Sequence, residues 1–371
     1  MINIISLSLF SNKVSGPKKV AENLIKGLEK LNYPYIINGR LDSCKRLWIH
    51  SDVGALEKLP KLDPKIKVVI GPNLFIPARN FPNLPRHLDF THVVYLQPSE
   101  WIKKMELDFG FNQCPIEVWP TGIDSNEFKP SPNSSNDYVL IYSKQRFDNE
   151  LRSIIEILNQ RNILFKIIKY RHYNQKEYLT LLHNCRYLIW LGRVESQGIA
   201  LEEALSCNIP ILLFDVSYVY HWIPAEDEKT LTTKEMEKYV GQATSAPYFD
   251  SSCGIKVKEI DQLPSAIDHM ENDWQNFSPR EYILKNLSLE KQAKDFLGIY
   301  EKYWGLSYRD GLEEKVLRRG HYKSEFLCKS RYISLNFIKK YDKIFNAYRI
   351  FKSKIKNKSN QLKNIFLNFT R

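Results

Sequence analysis

Long apolar runs are missing from this 371-residue chain: no stretch approaches the roughly 18 uninterrupted apolar residues of a membrane span. Cysteine is sparse and scattered. The six thiols, Cys44, Cys114, Cys185, Cys207, Cys253 and Cys328, include no short-spaced pair. That excludes a zinc-finger or CxxC motif and argues against a disulfide framework in so large a chain, so reduced thiols in a cytoplasmic protein are expected. No His, Asp and Glu grouping has metal-ligand spacing, so no metal site is expected. The N-terminus, residues 1–10, lacks the basic segment and small-residue cleavage site of a signal peptide and reads as a first strand. Excess charge is also lacking over most of the chain. The net +12 is contained in residues 306–371, where seventeen Lys and Arg face five Asp and Glu. A neutral body of 305 residues argues against nucleic acid as a partner.

What is present is a repeated alternation of short apolar runs with helical patterns. Residues 3–10 read as a strand and 11–17 as a polar loop. Residues 18–31 read as a helix with Val20, Ala21, Leu24, Ile25, Leu28 and Leu31 on one face. Gly16-Pro17 suits the start of that helix, since proline at the first turn loses no needed N–H. Strands follow at 46–50, 67–70 and 92–96. After a linker by composition, 131–137 (SPNSSND), more follow at 138–142, 165–169, 187–191 and 211–214. Strand–helix–strand alternation implies mostly parallel sheets, with ligands beyond the carboxyl ends of the strands. Residues 289–304 read as a further helix.

Residues 190–210, WLGRVESQGIALEEALSCNIP, carry the most chemistry. An apolar strand is followed by a turn with Gly198 and then by helical spacing of Ile199, Leu201, Ala204 and Leu205. That arrangement aims free backbone N–H groups at an anion. Glu195 and Glu203 lie eight positions apart, about 2.2 turns or 12 Å of helix rise. One can reach a group at the helix mouth and the other a group further along, which is the layout of a nucleotide sugar. The same pattern also fits an ordinary helix start, where glutamate is favoured by the helix dipole.

This segment resembles the signature of family 4 glycosyltransferases of the GT-B fold, roughly Glu-x-x-Gly-x-x-x-x-Glu-Ala followed by a small residue and Pro. Glu195, Gly198, Glu203, Ala204 and Pro210 match. Asn208 replaces the usual glycine, and Asn also tolerates the left-handed backbone at a helix end. The stretch from Ile116 to Pro130 is similar to the family's interdomain segment. The resemblance implies an α/β fold of GT-B type, with two doubly wound Rossmann-like domains facing a cleft. Residues 1–130 would form the acceptor-side domain, 137–288 the nucleotide-sugar-binding domain and 289–305 a helix crossing back to the first. It also implies a retaining transfer of a hexose from a nucleoside diphosphate sugar to a saccharide or lipid-linked hydroxyl in surface glycan or polysaccharide biosynthesis. No cofactor or metal is implied beyond the donor itself.

Carried over position by position, the resemblance gives Glu203 to the ribose hydroxyls and Glu195 to the transferred sugar. Backbone N–H groups of Ser196, Gln197, Gly198 and Ile199 would meet the diphosphate. Lys144 and Arg146, after the first strand of the second domain, are the candidates to neutralise the leaving group, though their order departs from the family's. Gly16, in Ser15-Gly16-Pro17-Lys18, resembles a reduced Gly-rich loop of the first domain. Many members carry a histidine after a middle strand of that domain; here Gly71-Pro72-Asn73 follows. Asn73 and His50 are the candidates for a sugar or acceptor contact in its place, and a histidine at a strand end is equally an ordinary structural residue. Pro98-Ser99-Glu100 reads as a helix start.

Residues 306–371 lie outside the resemblance. Ile333, Phe337, Tyr341, Ile344, Tyr348, Phe351 and Ile355 recur every three or four positions among lysines and arginines. That is a basic amphipathic helix, suited to an anionic membrane surface through residues 330–371 and hence to a peripheral position on its inner face. A helix packed on the protein and a disordered tail are the other readings. Two rival functions remain: another GT-B reaction, such as an epimerase or phosphorylase, and a catalytically inactive membrane-associated binding module.

Overall fold

The computed structural model describes residues 1–11, 15–56, 58–72, 92–219, 221 and 243–314. Asn73 and the whole of 330–371 therefore lie outside the described residues.

Two all-parallel sheets organise the chain. The first contains β1 (Ile2–Ile5), β2 (Tyr35–Ile37), β3 (Arg46–Ile49), β4 (Lys67–Ile70), β5 (Val93–Gln97) and β6 (Ile116–Val118). Their order is β2-β1-β3-β4-β5-β6. The second contains β7 (Tyr138–Ser143), β8 (Phe165–Lys169), β9 (Cys185–Leu191), β10 (Ile211–Phe214) and β11 (Gly254–Val257), in the order β11-β10-β9-β7-β8. Burial of β1, β3 and β5 along their whole length explains why these strands are near-continuous apolar runs instead of alternating ones. In each sheet the strand order reverses beside the first strand. The two switch points lie between β1 and β3 and between β7 and β9.

The helices α1 (Gly16–Lys30), α2 (Val53–Leu56) and α3 (Glu100–Asp108) belong to the first sheet. The second carries α4 (Asp148–Gln160), α5 (Gln175–Leu182), α6 (Ile199–Ser206), α7 (Leu263–Asp273) and α8 (Pro279–Asn286). Ser15 caps α1, its hydroxyl accepting from the Lys18 N–H at 3.4 Å, and Val20, Ala21, Leu24 and Leu28 are buried while Ile25 and Leu31 are half-buried.

The chain returns to the first sheet through α9 (Leu289–Trp304). Phe296 of that helix meets Trp48 and Trp119 edge-on, at ring separations of 5.2 and 5.0 Å. The Trp119 indole donates to the Gln292 carbonyl at 2.9 Å, which satisfies the polar edge of a ring that is otherwise buried. Close approach of α9 to α1 requires Gly27, because a Cβ there would stand 2.5 Å from the Leu289 carbonyl oxygen. Residues 121–123 and 287–289 run together between the sheets, with the Ile123 N–H donating to the Leu287 carbonyl at 2.7 Å.

Three expectations change in detail. The first strand ends at Ile5, and Leu7–Phe10 is a 3-10 turn. Residues 306–314, read from sequence as the start of the tail, include α10 (Tyr308–Glu313) and are seated on the first domain. Buried Arg46 holds the Glu314 carboxylate at 2.9 Å and the Ser307 carbonyl at 2.8 Å, while the Tyr308 hydroxyl donates to the Leu31 carbonyl at 2.8 Å. Lastly, β2 and β11 are edge strands without a sequence signal. Asn208 has the expected left-handed backbone, at φ 62°.

Candidate active site

The second sheet's switch point brings two of the singled-out residues together. Lys144 follows β7 and Glu195 follows β9, and the lysine ammonium is ion-paired with the glutamate carboxylate. The same ammonium lies 4.3 Å from the centroid of the Tyr170 ring, a cation–π arrangement. Behind it, Tyr142 and Trp190 stack at 4.2 Å with only 5° between their planes. That stack lies near the carboxyl ends of β7, which Lys144 directly follows, and of β9, which leads into the loop bearing Glu195.

Gly198 turns the chain into α6. Its φ of 98° and ψ of 40° are left-handed, which is why glycine occupies this position. The helix starts with N–H groups that have no partner one turn earlier, so the mouth of α6 carries partial positive charge. Glu203 points from α6 toward the first domain, where Lys19 of α1 is ion-paired with it. The carboxylate is 3% exposed. Burial pushes its protonation upward from the ordinary carboxylate range, and the Lys19 charge opposes that shift. Gly16 lies on the same helix as Lys19, one turn earlier, exposed, with no atom of the described residues within 4 Å of where a Cβ would sit.

The first sheet's switch point carries a group of hydroxyls. Ser6 Oγ, after β1, is 2.8 Å from Ser8 Oγ, 3.3 Å from Ser51 Oγ and 2.9 Å from His50 Nδ1. His50 directly follows β3 and is fully buried against Trp48, so the half-buried Ser8 and Ser51 are the accessible members of this group.

One other candidate residue, Arg146, is placed differently from expectation, and a second, Gln197, expected to act through its backbone N–H, has its side chain engaged elsewhere. Arg146 is buried, and its guanidinium is spent inside the second domain. It pairs with both Glu150 oxygens and donates to the Gly192 and Phe214 carbonyls at 3.1 and 2.9 Å. Glu150 is held below the usual carboxylate range by His221 and Arg146 despite its burial, which opposes them. A group so committed is a strut between strand ends, and Lys144 is the cation of the pair that remains at the helix mouth. Gln197 is likewise buried. Its amide accepts from the Thr121 N–H at 3.0 Å and donates to the Thr121 carbonyl at 2.9 Å and to Glu202 at 2.8 Å. Ser196 is exposed and Ile199 half-buried at the helix start.

Sequence reading passed over several contributors. Ser99 occupies the cap position of α3 but donates its hydroxyl to the Ser196 carbonyl at 2.6 Å, and the Trp101 indole donates to the Glu195 carbonyl at 3.0 Å. Both fasten the signature loop to the first domain. Lys19 and Glu202 were also missed; adjacency to Gly16-Pro17-Lys18 and to Glu203 was the available signal. A cavity of about 900 Å³ opens beside these contacts, lined by Ser99, Trp101, Thr244, Tyr248 and the outer face of α9, yet neither Lys–Glu pair lines it. The candidate site therefore rests on the charge geometry at the switch point and not on the cavity. Among the described residues, no group of three or more His, Cys, Asp or Glu side chains is placed to hold a metal ion.

No family model matches the chain, and no curated protein matches it. Solved structures do. The lipopolysaccharide outer core galactosyltransferase WaaB, in its apo form, is 12% identical over 81% of this chain and 99% of its own, with a TM-score of 0.50. Anabaena Alr3699/HepE in complex with UDP gives the same 12% identity, the same 81% and 99% coverage and a TM-score of 0.50. The pneumococcal O-GlcNAc transferase GtfA, in complex with UDP and GlcNAc, is 13% identical over 77% of this chain, which spans only 60% of GtfA, at a TM-score of 0.44. For WaaB and HepE, at 12% identity, the likeness shows the fold: two Rossmann-like domains in the GT-B arrangement.

Proposed function

We propose that the chain is a retaining glycosyltransferase that moves a hexose from a nucleoside diphosphate sugar to a hydroxyl of a saccharide or lipid-linked acceptor. The observation that carries this reading is the placement of the Lys144–Glu195 and Lys19–Glu203 pairs at the mouth and along the flank of α6, between two sheets of GT-B arrangement. That WaaB is named a galactosyltransferase and that HepE is bound to UDP agrees with it.

In this mechanism the donor's ribose hydroxyls take Glu203, and its diphosphate sits at the N–H groups of α6. Lys144 turns from Glu195 to the diphosphate, releasing Glu195 to the sugar hydroxyls. The bond from the anomeric carbon to the diphosphate breaks as the acceptor oxygen bonds to that carbon on the same face. The acceptor's proton passes to the departing phosphate oxygen. Negative charge grows on the leaving group, and a preorganised ammonium and helix mouth are worth several kcal/mol to such a transition state. The same groups fill the role that a divalent ion has in other transferases. The basic sequence of residues 330–371 would hold the enzyme at an anionic membrane surface, where lipid-linked acceptors reside.

The test is a thermal-shift panel of UDP, GDP, ADP and their hexoses on the wild type and on Glu203→Ala. A ligand that binds the native state raises its melting temperature by mass action. One nucleotide should shift the wild type and not the variant, and its sugar should release nucleoside diphosphate slowly in water. If no nucleotide shifts the wild type, the reading is wrong.

A further inference from the structure

Glu202 has no task in the mechanism above, yet it is fully buried, at 0% exposure, on the helix that carries Glu203. One carboxyl oxygen accepts from Gln197 Nε2 at 2.8 Å, and the other, Oε1, has no hydrogen-bond partner among the described residues. Among the described residues, the groups around it offer no counter-ion. Glu203 and Glu195 both add negative charge. Tyr248, and Tyr282 on α8, lie within its field as phenols whose protons burial holds on firmly. Arg280, the basic residue at the start of α8, is spent on the carbonyls of Ser125, Phe128 and Ser206. Lys19 serves Glu203. A carboxylate here would be a buried, unpaired charge, which costs several kcal/mol, whereas a carboxylic acid avoids that cost. Burial accordingly pushes the Glu202 carboxyl well above its ordinary range.

The neutral acid has a structural consequence. The Gln197 amide can accept at its oxygen and donate two N–H groups. It accepts from the Thr121 N–H and donates to the Thr121 carbonyl and to Glu202. Thr121 donates its hydroxyl to the Val20 carbonyl at 3.3 Å, and Val20 is the neighbour of Lys19 on α1. An unbroken line of hydrogen bonds thus runs from Glu202 to the turn that presents Lys19 to Glu203.

We propose that Glu202 is a positioning residue: held as a neutral carboxylic acid, it fixes the Gln197 amide, and through Thr121 and Val20 it sets Lys19 against Glu203. The consequence for donor affinity rests on the function proposed above; the consequence for stability does not.

The experiment follows the melting temperature of the full chain without ligand from pH 5 to 9, for wild type, Glu202→Gln, Glu202→Leu, Gln197→Leu and the Glu202→Leu/Gln197→Leu double variant. An acid whose folded-state pKa exceeds its unfolded value of about 4.3 binds more protons when folded, so its stability contribution is lost as pH rises toward the folded pKa. Glu202→Gln keeps the acceptor for Gln197 but cannot ionise. It should therefore match the wild type near pH 5 and exceed it by several degrees at pH 9. A gap that stays constant with pH, or a wild type that gains on the variant, overturns the neutral acid. Shifts of the two leucine variants should fall well short of additivity, because both break one line of bonds; additive shifts overturn the positioning role. A wild type that binds UDP, GDP or ADP adds a third readout. Affinity should fall about tenfold in Glu202→Leu and return to within about twofold in Glu202→Gln, a difference of 1.4 kcal/mol per tenfold step. Wild-type affinity in Glu202→Leu overturns the link to the site. Failure of every nucleotide to bind removes the proposed function and leaves the two ligand-free arms to decide Glu202.

Discussion

Lys19 of α1 and Glu203 of α6 are ion-paired although 184 residues separate them in sequence, and the pair links the two Rossmann-like domains. Removing one partner leaves the other buried without a counter-charge. Lys19→Met should therefore cost about 3 kcal/mol of unfolding free energy at pH 7. Lys19→Met/Glu203→Gln should recover most of that loss, since no charge is then left unpaired. Urea denaturation of the single and double variants gives the coupling; strict additivity would show the pair to be a surface contact of no consequence.

Lys144 and Arg146 are two residues apart and face opposite fates, so their variants should separate. In Arg146→Met the carboxylate of Glu150, 3% exposed, loses its bidentate partner, and the protein should lose about 3–5 kcal/mol of stability. Lys144→Met leaves Glu195, whose side chain is 16% exposed, without its partner, so stability should fall by about 1–2 kcal/mol, less than for Arg146→Met, while nucleoside diphosphate affinity falls at least tenfold. A stable Arg146→Met protein that has lost only nucleotide binding would reverse the assignment.

Parts of this arrangement were legible before any coordinates. β4, β10 and α9 fall where their apolar runs and helical periodicity put them, because a buried strand and a helix with one buried stripe write themselves into the sequence, and β8, a largely exposed edge strand, also falls at its expected bounds. The mouth of α6 was legible for the same reason, Gly198 marking the turn. Short edge strands such as Tyr35–Ile37 have no comparable run, and their pairing is set by the neighbouring strand. Partner choice was illegible too. Nothing local tells Lys19 from Lys18, and only the fold that brings Lys19 to Glu203 selects it. For Arg146 there was a signal, since Glu150 stands four residues on and an Arg–Glu pair at that spacing competes with any ligand.

Two glycines, one on the α1–α9 contact and one on the open face of α9, should respond oppositely to one methyl group. At Gly27 a Cβ would lie 2.5 Å from the Leu289 carbonyl oxygen and 2.8 Å from the Ala293 Cβ, so Gly27→Ala must push the helices apart, at about 1–3 kcal/mol. At Gly298, inside α9, nothing lies within 4 Å, and alanine should stabilise by about 0.5–1 kcal/mol through helix propensity and a less flexible unfolded chain. Melting temperatures of the two variants should move in opposite directions. Parallel shifts would mean that α9 is not in close contact with α1 in solution.

Glu106 adds a pH dependence that begins in the first domain. The residue lies on α3, 2% exposed, with Gln97 Nε2 at 3.4 Å as its side-chain partner, and burial pushes its carboxyl from 4.5 up to about 7. The folded state therefore holds a proton that the unfolded chain gives up near pH 4.5, and stability from this group is lost as pH rises through about 7. The full loss is on the order of 3 kcal/mol, taking about 1.4 kcal/mol for each pH unit of the shift. Glu106→Gln should remove it, leaving the variant more stable than wild type at pH 8 and similar at pH 5. The effect should reach the signature loop as well, because α3 supplies Trp101 and follows Ser99, which hold the Glu195 and Ser196 carbonyls. Amide hydrogen exchange of residues 194–198 should accordingly quicken in the wild type between pH 6 and 8, beyond the ordinary intrinsic increase, and should not do so in Glu106→Gln. Stability curves that run parallel across that range would place Glu106 among the ordinary ionised carboxylates and sever α3 from any role in the pH response of the site.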